Sequence, residues 1–500
     1  MSTTLAGSSP GAAAAASPPS SSSRVPLPTI FAFGTMGMPV AVMLLLYGVY
    51  LPRHVVSLGI DGLKPGAAQA FLVVGFAITM VRVIDVFFDP LVALVMDRTR
   101  TPIGRYRPWL VLGVPIVMVG VWKVLMPTGP ITQGYLILWL VVSYAGLSMV
   151  TLGQAAWSAV LAKSYDDRAR LYAWTTGMAV VATTLILALP KLTGGHVSAG
   201  LKSSMPVLAM VVLVALPIAL FICSVFTPEK IAPGSHRPTF KLADYRKAIG
   251  RPSMWRLILA DLLLTLGPGT TGPLYVYYFH DAKGFTIQDV SFLLIFYGGA
   301  GIFGALFWGR TVAQRLGKHR TVQIACVVYS ITQTILMAIP RVWAPYTWTD
   351  GIPTVVGMMA VGFCASAFVP LVRAMVADVC DEVRLEQRQD LTSLLYSMVT
   401  TTSKIGQSIT VLIVFPVLAF VGYNGAEGAV NTKHAIFGLE MCYLFAPIIL
   451  VWFGGAMLFG YKLDSRRHGE IREALAQLDL AAAEEGIVGG VAEEAPAPAE

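Results

Sequence analysis

Residues 68–96, AQAFLVVGFAITMVRVIDVFFDPLVALVM, form an apolar stretch that contains three charged side chains. A hydrocarbon core about 30 Å thick requires roughly 20 mostly apolar residues per helical span, so this stretch is long enough to cross a membrane. Similar stretches recur along the chain, which has 500 residues, 55% of them hydrophobic and only 13% charged. The sequence therefore predicts an all-α polytopic membrane protein.

The apolar stretches predict twelve transmembrane helices, with the longest polar interval after the sixth. The predicted spans are 27–51, 68–96, 109–126, 135–162, 172–194, 205–227, 253–279, 289–312, 321–342, 353–379, 392–421 and 435–462. We expect two six-helix bundles, 27–227 and 253–462, joined by a cytoplasmic loop at 228–252. The tails 1–26 and 463–500 are predicted to be cytoplasmic and largely disordered because they are of low complexity, apart from a short amphipathic helix at IREALAQLDL, residues 471–480.

The loop after span two and the loop after span eight have matching sequences, which supports a duplication of six helices. DRTRTPIGRYRP and RTVAQRLGKHRT each place a glycine among basic residues at the same topological point. The alternative is that these loops only anchor the topology. The candidate gating residues are Asp97, Gly104, Arg105, Arg107, Gly317, Lys318 and Arg320.

The net charge of +8 follows topology, so no nucleic-acid partner is predicted. Of the 36 Lys and Arg residues, 25 lie on the side of the two tails and 7 on the opposite side. This bias places both termini in the cytoplasm by the positive-inside rule.

Span two carries Arg82, Asp85 and Asp89 at i, i+3 and i+7, which places them on one face of the helix. Asp89 and Asp85 lie roughly 12 and 18 Å from the cytoplasmic end, and Lys404 of span eleven lies at a similar depth to Asp85. Two neighbouring carboxylates in a dry setting require a bound proton, a metal cation or a basic neighbour. The pattern predicts a site for a coupling ion, and the alternative is a structural salt bridge between Arg82 and one acid.

A solute site is predicted near the same depth. Gln154 and Trp157 of span four, with Asp261 of span seven, supply polar and aromatic groups, although Trp157 could equally be a packing residue. Pro268 and Pro273 should interrupt span seven beside this cavity. The five scattered cysteines give no metal or disulfide framework, and no nucleophile motif indicates an enzyme. No cofactor is expected beyond the coupling ion.

Two segments resemble one transporter family. Residues 82–113, RVIDVFFDPLVALVMDRTRTPIGRYRPWLVLG, are similar to the span two to three signature of the glycoside-pentoside-hexuronide:cation symporters, the melibiose-permease-like branch of the major facilitator superfamily. Residues 374–406, AMVADVCDEVRLEQRQDLTSLLYSMVTTTSKIG, resemble the family's span ten to eleven segment and include Tyr396. The resemblance implies the major facilitator fold and alternating access.

By this resemblance, Asp85 and Asp89 hold the coupling cation, H⁺ or Na⁺, and Lys404 lies close by. The residue before the second acid, often Asn in sodium-using members, is Phe88 here, which favours H⁺. The acids that hold the sugar in melibiose permeases correspond to Met36 and Gly153, so the galactoside contacts differ.

The prediction is a monomeric symporter of the inner membrane that couples a cation to a sugar or glycoside-like solute. Gln154, Trp157, Asp261 and Tyr396 are its candidate solute contacts. One alternative is a carrier of lipids or other amphiphiles on the same scaffold. A more remote alternative is a membrane sensor that transports nothing.

Overall fold

The computed structural model describes residues 25–162, 165–192, 201–229, 252–343, 346–387, 392–461, 463 and 467–478. The N-terminal tail through residue 24, most of the predicted loop 228–252 and the end of the C-terminal tail lie outside these ranges.

Twelve helices among the described residues are long and apolar enough to cross a membrane, as predicted. In chain order, spans one to twelve are Leu27–Leu58, Ala68–Met96, Arg107–Leu125, Gln133–Ser158, Arg170–Leu189, Ser204–Phe226, Ser253–Ala282, Ile287–Leu316, Lys318–Ala338, Thr349–Glu386, Met398–Phe420 and Lys433–Ala456. Because the number of spans is even, the start of span one and the end of span twelve lie on the same face of the bundle. We call this face the terminus side. The opposite face is called the far side.

Span seven is interrupted where its prolines predict. Helix Pro252–Gly269 ends just after Pro268, and helix Thr271–Tyr277 begins one residue further on. The hydroxyl groups of Thr270 and Thr271 donate to the carbonyl oxygens of Gly267 and Pro268 at 2.6 and 2.7 Å. The Gly267 carbonyl also accepts from the backbone N–H of Thr270 at 3.1 Å. The hydroxyl groups thus add hydrogen bonds to the carbonyl groups at the break, inside the membrane.

The two halves repeat one packing scheme. In the first half, span one packs on spans five and six, span four on spans two and three, and span three also on span six. The same pairs shifted by six spans occur in the second half. Span two lies along span eleven, and span five along span eight. Span one also contacts span seven, so these three pairs of spans join the halves. The chain therefore has the predicted architecture of two related six-helix bundles.

The predicted amphipathic helix of the C-terminal tail spans residues 467–478, starting four residues earlier than IREALAQLDL. Ile471 and Leu475, one turn apart, are both buried in the protein's hydrophobic core. This part of the tail is thus ordered and packs against the bundle.

Candidate functional site

Span two and span eleven bring two acids and one lysine together at the contact between the halves. The Lys404 ammonium donates a short hydrogen bond to Asp89 Oδ2 and lies 3.9 Å from Asp85 Oδ2. The Ser148 hydroxyl of span four donates to Asp85 Oδ1 at 2.6 Å. Asp89 Oδ1 is buried and has no hydrogen-bond partner among the described residues. The Lys404 ammonium thus pairs with two carboxylates, and Asp89 Oδ1 has no donor among the described residues.

Arg82 does not form the salt bridge that was considered from the sequence. Its guanidinium lies over the ring of Tyr144, 4.1 Å from the centroid. Within the described part of the chain it makes no ion pair with Asp85 or Asp89. The 3.6-residue period places Arg82 on the same face as the acids, but its guanidinium makes a cation–π contact with Tyr144 instead of an ion pair.

Asp261 of span seven lies in a second buried cluster. The Ser403 hydroxyl donates to Asp261 Oδ2, and Arg373 Nε of span ten lies 3.6 Å from Oδ1. The Arg373 guanidinium also donates to the Thr400 and Ser403 hydroxyls at 3.0 and 2.9 Å. In this conformation Asp261 is 1% exposed and connects three spans, so its predicted contact with solute would require this cluster to open.

Gln154 and Trp157 pack against span one. Gln154 Nε2 donates to the Phe33 carbonyl at 3.2 Å, and the Trp157 ring meets the Phe33 ring edge-on at 5.8 Å between centroids. Trp157 is fully buried, and Arg107 lies over its ring at 5.4 Å. Trp157 therefore packs in this conformation, while Gln154 is only partly buried. The side chains of Asp97 and Tyr396 lie outside the described residues.

The loop after span two is held by one carboxylate from the end of span six. Glu229 accepts hydrogen bonds from the backbone N–H groups of Arg105, Tyr106 and Arg107 at 2.6, 2.8 and 3.2 Å. Helix Arg107–Leu125 starts here, so the carboxylate binds the free N–H groups of a helix N-terminus. Gly104 has φ +125°, and any side chain there would collide with Glu229. The glycine predicted from the repeat is therefore required by the backbone and by this close contact.

The corresponding loop in the second half uses a side-chain ion pair. Lys318 Nζ lies 2.6 and 2.7 Å from the two carboxylate oxygens of Asp378 in span ten. Gly317 has φ +83°, matching Gly104, and the Arg320 side chain is exposed. His468 of the tail helix lies 3.5 Å from Asp378. The two loops share a glycine turn but are held by different chemistry.

On the far side, a buried ion pair joins the two halves. Arg53 of span one is 2% exposed and donates to Asp281 Oδ1 of span seven at 3.0 Å, while its guanidinium lies 4.8 Å over the Tyr277 ring. Tyr423, just after span eleven, donates to the other oxygen of Asp281. Burial raises the pKa of Tyr423, and the Asp281 carboxylate raises it further, so the phenol remains a donor. We call these four residues the far-side cluster.

Other contacts close the same side. Tyr50 donates to the Ser291 hydroxyl at 2.8 Å, and the backbone N–H of Gly425 donates to the Gly66 carbonyl at 2.9 Å. Each of these bonds connects the first half with the second. The conformation described is thus sealed on the far side.

With this geometry in place, comparison with known proteins decides the family. Residues 30–465 match the family described as MFS/sugar transport protein.

The chain belongs to this family.

Members of this family are membrane transporters, so the chain is a transporter rather than an enzyme. The resemblance to the glycoside-pentoside-hexuronide:cation symporters is confirmed by relatives in the same family. The isoprimeverose transporter of Lactiplantibacillus pentosus is 25% identical over 78% of this chain and 81% of its own. The putative glycoside/cation symporter YagG of Escherichia coli is 26% identical over 79% of this chain and 85% of its own.

Solved structures confirm the fold. The bacterial homologue of the human lysosomal transporter Spinster aligns with a TM-score of 0.61 at 12% identity, covering 89% of this chain and 97% of that chain. The nucleoside transporter NupG aligns with a TM-score of 0.58 at 14% identity, covering 87% of this chain and all of that chain.

Three residues of this transporter were missed by sequence reasoning. The sequence predicts that span one ends at residue 51, which leaves Arg53 outside it, whereas the helix continues to Leu58. Asp281 was placed just outside span seven, which in fact extends to Ala282. Glu229 had no local signal, since its role depends on a loop more than 100 residues earlier. A tighter search for charges at span ends could have found the first two.

Replacing Glu229 by Ala should lower the stability of the transporter by about 1–2 kcal/mol, because three N–H groups at a helix start lose their acceptor. Glu229→Gln, which keeps one acceptor oxygen without the charge, should fall between Ala and wild type. The apparent melting temperature of the purified protein measures this. Glu470→Ala is the matched control, since that carboxylate pairs with Arg467 at the surface, where both side chains are exposed. An equal effect of both Ala variants would contradict the assigned role.

Asp281→Asn should open the far side, because it leaves Arg53 buried without a counter-charge. Spin labels at Lys64 and Val430, which are exposed far-side positions in opposite halves, report the opening. Double electron–electron resonance in a cysteine-free background measures the distance between the two labels. The variant should show an additional population at longer distance that wild type lacks.

Asp350→Asn is the control for this measurement. Asp350 also lies on the far side, but its carboxylate caps the start of span ten within one half. Its distance distribution should match that of wild type. If the Asp281 variant also matched wild type, the far-side cluster would not govern closure.

Proposed function

We propose that the chain is a cation-coupled symporter that carries a sugar or glycoside across the inner membrane by alternating access. The observation that carries this proposal is the position of Lys404, an ammonium from one half bound to two carboxylates of the other. The family and the relatives named for isoprimeverose and glycosides support the class of solute.

The charge balance at this position supports a site for a mobile cation. Asp85 and Asp89 carry two negative charges when ionised, and Lys404 supplies one positive charge. The guanidinium of Arg82 lies over Tyr144 rather than against the acids. A proton or a sodium ion would bring the sum of these three charges to zero, and the unpaired Oδ1 of Asp89 offers it an acceptor.

Competition between the ion and Lys404 gives a physical basis for coupling. A cation bound at Asp85 and Asp89 weakens the attraction of Lys404 for the same oxygens. This loosens the contact between span two and span eleven, which is one of the helix contacts joining the halves. Ion binding would in this way change the relative stability of the conformations, as coupling requires.

Several finer properties complete the proposal. The terminus side, with its excess of Lys and Arg, faces the cytoplasm. The transporter acts as a monomer. Phe88 beside Asp89 favours H⁺ over Na⁺ as the coupling ion. Solute contacts are assigned to Gln154, Trp157, Asp261 and Tyr396. Of these, Trp157 and Asp261 are buried and become accessible when the halves move.

Uptake into liposomes tests the proposal. Wild-type protein should accumulate a neutral sugar or glycoside, such as isoprimeverose, when an inward proton or sodium gradient is imposed. Asp85→Asn and Asp89→Asn should each reduce the accumulation ratio to about 1, since the ion loses its ligand, while exchange of labelled for unlabelled solute continues. The exchange assay confirms that the variants are folded.

Asp61→Asn, at an exposed far-side acid, is the matched control and should accumulate solute like wild type. Continued accumulation in both site variants would remove the coupling role of these acids. The gradient that drives uptake identifies the ion, because each gradient is imposed alone.

A further inference from the structure

A cavity of about 360 Å³ lies between the halves, on the far side of the Lys404 ion pair. Its walls come from spans one and five of the first half and from spans seven, eight, nine, ten and twelve of the second. It is separate from the acids of span two, none of which lines it. The volume lies within the range of small-molecule sites.

The cavity is lined by aromatic rings, chiefly those of Tyr275, Tyr297, Tyr329 and Tyr443. No Asp, Glu, Lys, Arg or His of the described residues lines it. A charged solute entering it would lose its hydration without meeting a counter-charge, at a large cost in free energy. The lining therefore selects against ions and for neutral ligands.

Three tyrosine hydroxyls of this lining are unused by the protein. Those of Tyr297, Tyr329 and Tyr443 make no hydrogen bond to any described residue, whereas the Tyr275 hydroxyl donates to the Val290 carbonyl at 2.8 Å. Tyr329 and Tyr443 are 1% and 4% exposed, and both line the cavity.

Gln333 adds an acceptor to the same wall. Its Nε2 donates to the Tyr443 carbonyl at 3.1 Å, while its Oε1 is buried and unpaired among the described residues. Buried polar atoms are nearly always paired in folded proteins, and each unpaired one is costly. Gln333 Oε1 is such an atom, and together with the tyrosine hydroxyls of the lining it points to a ligand that supplies both donors and acceptors.

We propose that this tyrosine cavity is a second solute-binding site that takes a neutral glycosyl unit. The ring hydroxyls of a sugar can donate to Gln333 and accept from the tyrosines, and its apolar ring faces can pack on the aromatic side chains. An acyl chain would fill the space but leave these polar atoms unpaired, so a lipid is disfavoured. The inference rests on the proposed transport of a sugar and adds a preference for uncharged solutes over uronides.

Equilibrium binding to protein in nanodiscs tests the site. The probes are methyl β-D-glucoside, methyl β-D-galactoside and methyl β-D-xyloside, with methyl β-D-glucuronide as the charged analogue and lysophosphatidylcholine as the lipid. Isothermal titration calorimetry should detect at least one neutral glycoside, with the glucuronide bound at least tenfold more weakly. Tyr329→Phe and Tyr443→Phe should each weaken glycoside binding roughly three- to tenfold, because each removes one hydrogen bond and keeps the ring.

Tyr278→Phe is the matched control. The Tyr278 hydroxyl is buried and unpaired among the described residues, and Tyr278 does not line the cavity. Its variant should bind glycosides like wild type, and the melting temperatures of all three variants confirm that they are folded.

The outcomes separate this site from the proposed function. If coupled uptake of a neutral glycoside occurs with the same KM in wild type, Tyr329→Phe and Tyr443→Phe, the cavity is not a solute site although the symporter stands. If the tyrosine variants weaken glycoside binding but no gradient drives uptake, the cavity stands and coupled symport fails. Binding of lysophosphatidylcholine in preference to every glycoside would overturn the assigned ligand.

Discussion

Lys404 reaches from one half of the protein to a pair of carboxylates in the other, and the organisation of the transport site depends on this contact. Inside a membrane none of these three charges is stable alone, because hydration is lost on burial. Removing one partner from a buried ion pair costs on the order of 3–5 kcal/mol. Separating the halves here removes the ammonium from both carboxylates. In the proposed mechanism another cation replaces it, which links the change of conformation to the binding of an ion.

Span eleven connects this site to a second ion pair through neighbouring residues. Ser403 contacts Asp261 and Arg373 within the second half, while Lys404, the next residue, contacts Asp89 in the first half. A rotation or shift of span eleven would move both contacts together. The buried Asp261 is thus placed to respond to movements of Lys404, and in the proposed mechanism to occupancy of the ion site.

The two sides of the membrane use polar contacts differently. On the terminus side, Glu229 holds its loop within the first half, and Asp378 binds Lys318 within the second. On the far side, Arg53 and Asp281 bind across the halves. The first kind of contact stabilises each bundle, and the second kind holds the bundles together on one side. This division is suited to bundles that move as units about a central site.

The sequence alone determined the twelve spans, the repeat of six and the face that gathers Asp85 and Asp89, because hydrophobic length and helical period are local properties. It also indicated the glycine turns and the break at Pro268. Only the tertiary structure decided which basic residue pairs with the acids, since both Arg82 and Lys404 were candidates from the sequence. The Arg82 guanidinium lies over the Tyr144 ring, and Lys404 forms the ion pairs. The roles of Glu229, Arg53 and the tyrosine cavity likewise depend on residues far apart in the chain, whose meeting is set by how the helices pack.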